Sequence, residues 1–132
     1  MKDTLIEKAK EVRLKAYAPY SNFLVGAAVL TNSDKIYVGC NIENSSYSLT
    51  CCAERVAIFQ AISAGETNIK AMAVVGDADE PISPCGACRQ VMSEFINLDT
   101  PIYLANISGV INELTINDLL PLAFGAKQLN DK

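Results

Sequence analysis

Cys52-Ala53-Glu54 and, thirty-three residues after that cysteine, Pro84-Cys85-Gly86-Ala87-Cys88 decide how this chain reads. Together they offer three thiolates for one metal ion and a carboxylate two residues from the first of them. A tetrahedral zinc held by three protein ligands keeps a fourth position open for water, which is the catalytic arrangement rather than the structural one. The chain contains no histidine. Any zinc would therefore be held by sulfur, helped at most by carboxylate, and no imidazole can act as acid or base.

The flanking residues place both motifs at helix starts. Cys85 and Cys88, three apart, share one face of a predicted helix, so both sulfurs can reach one ion. Ser83 is its expected cap and Pro84 falls in its first turn, while Val91, Met92, Phe95 and Ile96 form its apolar side. Cys52 opens a second helix, Cys52 to Ala64, with Val56, Phe59 and Ile62 as its apolar stripe and Gly65 as its stop. The partial positive charge of a helix N-terminus favours thiolate over thiol. Two such termini can meet at one end of a sheet, where open α/β folds bind ligands.

The remaining pattern supplies that sheet. Leu5, Ala9, Val12 and Ala16 mark an amphipathic first helix, broken by Tyr17-Ala18-Pro19-Tyr20-Ser21-Asn22. Phe23 to Leu30 reads as a strand covered on both faces, and Lys35 to Cys40 returns as its hairpin partner across Asn32-Ser33-Asp34. Asn41 to Thr50 is polar and loop-like. Ala71 to Val75, Pro101 to Ala105 and Val110 to Leu114 complete about five strands. Thr115-Ile116-Asn117-Asp118 is a capping pattern before a helix that Pro121 keeps short. The expectation is an α/β fold, a three-layer α-β-α sandwich with a central mixed sheet, in a single domain over residues 1–132.

Composition narrows the function. Half of the 132 residues are hydrophobic and 20% are charged, which excludes a disordered chain. No apolar run reaches membrane-spanning length, and Met1 to Lys8 mixes both charge signs without a signal-peptide core. A soluble cytoplasmic protein with no membrane partner is expected. A net charge of -4 argues against a nucleic-acid polymer as partner, because binding one depends on Lys and Arg meeting phosphates. Five cysteines, an odd number, fit metal or catalytic use better than a disulfide framework in such a chain.

Each motif alone has a plainer reading. A lone Cys-x-x-Cys serves redox chemistry or half of a four-sulfur structural site, and a lone cysteine is often a small buried hydrophobe. A zinc ribbon would need a second Cys-x-x-Cys pair, and a redox site leaves Cys52 and Glu54 unexplained. Zinc deaminases combine a ligand two residues before a glutamate with Pro-Cys-x-x-Cys. That register selects Cys52 over Cys51 and leaves Cys51 a bystander, with Cys40 read as core.

Longer stretches extend the likeness. Ala18-Pro19-Tyr20-Ser21-Asn22-Phe23-Leu24-Val25-Gly26-Ala27-Ala28, Gly39-Cys40-Asn41-Ile42-Glu43-Asn44, Cys52-Ala53-Glu54-Arg55 and Ser83-Pro84-Cys85-Gly86-Ala87-Cys88-Arg89-Gln90 resemble the small cytidine deaminases of pyrimidine salvage, of the homotetrameric three-cysteine type. Leu119-Leu120-Pro121-Leu122-Ala123-Phe124 adds a weaker match. The resemblance implies one Zn2+ per subunit on Cys52, Cys85 and Cys88, with Glu54 as the catalytic proton shuttle. It implies hydrolytic deamination of cytidine and deoxycytidine to uridine and deoxyuridine with release of ammonia, zinc-bound hydroxide attacking C4. It places Phe23 near the base, Asn41 and Glu43 on the ribose, and the backbone near Ala53 and Ser83 on the pyrimidine. Arg55 would hydrogen-bond ligand sulfurs, offsetting a net charge of about -1 that is costly in a pocket. Tyr47 and Phe124 would reach into a neighbouring subunit's site in a homotetramer.

Taken singly, these residues keep bland alternatives. Phe23 could be core, Asn41 and Asn44 left-handed turn residues, Glu43 a solvated loop glutamate and Arg55 a surface arginine. Arg89 carries no assignment: it is a second charge partner or an exposed side chain. A deaminase of the antibiotic blasticidin S shares the zinc motif, and polynucleotide deaminases use a related site. A structural zinc module and a thiol oxidoreductase through Cys85 and Cys88 are the readings from other classes.

Overall fold

A computed structural model describes residues 1–126 and 129. Nine elements matter here: α1 (Lys2–Arg13), β1 (Val25–Thr31), β2 (Ile36–Cys40), α2 (Ala53–Ser63), β3 (Ile69–Gly76), α3 (Gly86–Phe95), β4 (Ile102–Asn106), β5 (Ile111–Leu114) and α4 (Ile116–Leu119). The strands form one sheet in the order β2-β1-β3-β4-β5. β3 and β4 run parallel, joined through α3, and the other neighbours are antiparallel. The sheet is therefore mixed, as expected.

Alternation along the strands divides the core into two layers. Ala27, Val29, Met72, Val74, Ile102 and Leu104 point to α2, α3 and α4. Ala28, Leu30, Ala71, Ala73, Val75 and Ala105 point to Leu5 and Ala9 of α1. The α1 face is built largely of alanine, which lets that helix lie close to the sheet. Gly26 carries this to its limit, since a Cβ there would stand 1.9 Å from the Ala9 carbonyl oxygen. On the opposite face Gly39 of β2 lies against α2, where a Cβ would stand 2.3 Å from the Ala57 nitrogen.

Three local expectations need correction. The first helix stops at Arg13 rather than reaching Ala16. Tyr17 instead pairs with Ile42, its N–H donating to the Asn41 carbonyl and its carbonyl accepting from the Glu43 N–H. The buried face of α2 is Ala53, Glu54, Ala57, Ile58 and Ala61, not Val56, Phe59 and Ile62, and Phe59 is exposed. Close approach of Gly39 to the α2 backbone goes with the small Ala53 and Ala57 on the inner face. The cap of α3 is Cys85, not Ser83, and Pro84 lies outside the helix. Thr115 and Asp118 do form a reciprocal capping box at α4.

Candidate metal centre

Cys52 and Cys85 are the N-cap residues of α2 and α3, both with extended backbone, and Cys88 lies in the first turn of α3. The three sulfurs all lie within 4.8 Å of one another. Cys52 Sγ is 3.9 Å from Cys85 Sγ, which is 3.4 Å from Cys88 Sγ. Tetrahedral zinc–thiolate bonds of about 2.3 Å put sulfurs ~3.8 Å apart, so the trio fits such an ion. Cys88 is fully buried, Cys52 half-buried and Cys85 exposed. Cys51 pairs with Ile42 and is outside this group, while Cys40 is half-buried at the end of β2.

Arg55 stands behind the sulfurs. Its Nη2 donates to the Thr50 carbonyl at 3.3 Å and to Cys52 Sγ at 3.6 Å, while its buried Nε has no partner among the described residues. Hydrogen bonding from Cys88, reinforced by Arg55 and Cys85, holds the Cys52 thiol below the ordinary cysteine range. Cys88 is pushed up by that same Cys52 contact and by burial, so it keeps the proton that the pair shares. A divalent cation would replace this proton. The helix termini and Arg55 supply positive potential against three thiolates.

Glu54, one residue into α2, is 4% exposed. Burial pushes its carboxyl up to about 7, with the Cys52 charge adding to the effect. A cavity of about 290 Å³ brings Glu54 together with Cys52, Cys85, Phe23, Ser83 and Ile82. Asn41, Glu43 and Ala53 line it too. It shares Ser21, Glu43 and Thr50 with a second space of about 410 Å³, which Tyr20 and Tyr47 also line. The Tyr20 and Tyr47 rings meet edge-on there with centroids 6.1 Å apart. Phe124 is exposed and lines neither space, and its carbonyl accepts from Gln90 Nε2 at 2.9 Å.

Residues 1–104 match the family description "Cytidine and deoxycytidylate deaminase zinc-binding region". The chain belongs to the cytidine deaminase family. Cytidine deaminases of Sporosarcina psychrophila and Halalkalibacterium halodurans are 54% and 52% identical to it, over 97% and 96% of this chain and 94% and 96% of theirs. The crystal structure of cytidine deaminase from Burkholderia pseudomallei superposes with a TM-score of 0.91 at 52% identity, covering 94% of this chain and 99% of that one. The Mycobacterium tuberculosis enzyme follows at TM-score 0.81 and 36% identity, covering 94% and 97%. The chain is thus an enzyme of a hydrolase family, and its three-sulfur group fits the zinc of cytidine deaminases.

Within the cytidine deaminase frame, the polar lining has a clear local logic. Asn41 Oδ1 accepts from Val25 N–H at 2.9 Å and its Nδ2 donates to the Phe23 carbonyl at 2.8 Å. The amide fixes the entry to β1 and keeps one N–H and one lone pair for a ligand. Neither Asn41 nor Asn44 has a left-handed backbone, so that reading is set aside, but Asn44 is a turn residue, its Oδ1 accepting from the Ser46 N–H at 2.9 Å. Glu43 Oε1 accepts from Tyr20 N–H at 2.9 Å and Ser21 N–H at 3.1 Å, and Oε2 accepts from the Ser21 hydroxyl. That hydroxyl, helped by the two amides, holds the Glu43 carboxyl below the usual carboxylate range. Ser21 and Thr50, which line both spaces, carry no individual signal in the sequence because hydroxyls are ordinary in polar loops.

Proposed function

We propose that this chain hydrolyses cytidine and deoxycytidine: water displaces the 4-amino group, leaving uridine or deoxyuridine and ammonia. The observation that carries this reading is the buried Glu54 carboxyl lining the same 290 Å³ cavity as two of the three sulfurs. When bound, zinc would supply a Lewis acid that brings the acidity of a water close to neutrality. Glu54 takes a proton from that water as it attacks C4 of the pyrimidine. The same carboxyl then delivers protons to N3 and to the departing amino group. One group must be both base and acid in a turnover, and a carboxyl poised near neutral pH suits both tasks.

The lining supports a set of substrate positions. Phe23 offers an apolar wall for the base. The backbone at Ala53 and Ser83 borders the place of the pyrimidine. Asn41 and the acceptor-only Glu43 carboxylate suit sugar hydroxyls. Arg55 offsets the thiolate charge through its Cys52 contact. The exposed rings of Tyr47 and Phe124 support a homotetramer in which they cover a neighbour's site. One domain over residues 1–132, acting in the cytoplasm in pyrimidine salvage, completes the proposal.

Ammonia release from cytidine by purified, metal-analysed protein tests it, with a cytosine-containing oligonucleotide in parallel. Turnover of the nucleoside alone is expected. Zinc-loaded protein that releases no ammonia from cytidine would overturn the reading.

A further inference from the structure

Of the three sulfur residues, Cys85 has the least packing around it. Cys88 is fully buried and Cys52 touches Arg55, whereas Cys85 is exposed. Its Sγ accepts from the Cys88 N–H at 3.5 Å as the cap of α3, and the peptide before it is held by Arg89. The Arg89 Nε donates to the Pro84 carbonyl at 2.8 Å, and its backbone N–H donates to the Cys85 carbonyl at 3.0 Å. The first of these bonds belongs to the guanidinium, whereas the second is the backbone helix bond of the first turn of α3. The fork is fixed in turn, because Nη1 donates to the carbonyl of buried Leu119 at 2.8 Å. Among the described residues the ion pairs are Lys10–Glu7, Arg13–Asp77 and Lys70–Asp34, so the guanidinium faces backbone carbonyls rather than a carboxylate. Gln90 makes a parallel tie from α3 to the carbonyl of Phe124.

We propose that Arg89 is a positioning residue for the metal centre: its guanidinium orients Cys85 by tying the Pro84–Cys85 peptide to the C-terminal end of α4. Two divergent carbonyls need a planar fork, which lysine does not have. The inference rests on the three-sulfur zinc centre and not on the substrate proposed above.

Zinc-loaded native protein, Arg89→Gln and Arg89→Lys are compared for thermal midpoint and for the rate at which zinc passes to a chromogenic chelator. Ile69→Val, in the buried core away from the sulfurs, supplies a variant that loses stability alone. Release from Arg89→Gln is expected to be about 10–100-fold faster than native, the size seen when partners of metal ligands are removed. Arg89→Lys should fall between, and Ile69→Val should release zinc at the native rate when each variant is held equally far below its own midpoint. Cobalt-loaded Arg89→Gln should show a shifted thiolate-to-cobalt absorption. Native-like release from Arg89→Gln, or release that matches Ile69→Val at equal stability, overturns the positioning role. Native protein that holds no zinc overturns the metal centre itself, an outcome distinct from zinc-loaded protein that fails to turn over cytidine.

Discussion

Glu54 combines near-complete burial with a carboxyl pushed up to about 7, and it shares its cavity with Cys52 and Cys85, apolar Phe23 and Ile82, and polar Asn41 and Ser83. Glu54→Gln keeps the shape and removes the ionisable carboxyl to which the proposed mechanism gives the proton transfers. Turnover of cytidine should fall by about two to four orders of magnitude, with zinc stoichiometry by elemental analysis unchanged. Arg55→Gln removes the cation beside Cys52 and leaves the thiolate charge less compensated. The ionising group in the site becomes less acidic, so the acidic limb of the pH–rate profile should move to higher pH. An unmoved limb would count against charge compensation. Glu43 is the opposite electrostatic case, with its carboxyl lowered chiefly by the Ser21 hydroxyl. Its hold on the Tyr20-Ser21 turn is fully present above its ordinary value of 4.5 and is lost as pH falls through the lower folded value. Carbon NMR of Glu43 should place its titration below that value, and Ser21→Ala should move the titration back up.

The helices act through their first residues. With Cys52 and Cys85 as N-caps, two positive helix ends face the same sulfur cluster, so the orientation of α2 and α3 is part of the site's electrostatics. The capping box at α4 has a separate task, since α4 ends at the Leu119 carbonyl that anchors Arg89. Thr115→Ala should lower stability by about 1 kcal/mol in urea unfolding. Gly26 shows how tightly α1 is seated. Gly26→Ala places a methyl on the Ala9 carbonyl and should cost about 1–3 kcal/mol or more. The same unfolding experiment reads both. The expected α2 stripe of Val56, Phe59 and Ile62 fails for a related reason: Gly39 lies against the α2 backbone at Ala53, Val56 and Ala57, and this close approach turns Ala53, Ala57 and Ile58 inward instead.

The sheet brings together groups far apart in the chain. Cys52 follows the loop after β2, whereas Cys85 follows the segment after β3, and their sulfurs end 3.9 Å apart. Zinc binding should therefore stabilise the whole fold. At a free concentration a hundred times its Kd, a ligand adds about 2.7 kcal/mol. Stripping zinc with a chelator should then lower the thermal midpoint by roughly 10 °C, restored on adding zinc back.

Much of this arrangement was already legible in the order of residue types. Alternating apolar strands, cysteines before helical stripes and a glutamate two residues from Cys52 mark the layers, the three-sulfur group and the carboxyl beside it, because such periodicities and spacings are local properties. The choice between Ser83 and Cys85 as cap, the small-residue face of α2, the Ser21 clamp on Glu43 and the grip of Arg89 on Pro84 and Leu119 lay beyond it. Those contacts join segments as many as thirty residues apart, as Arg89 and Leu119 are. Which partners such groups meet depends on strand register and helix distance, and these exist only once the chain has packed.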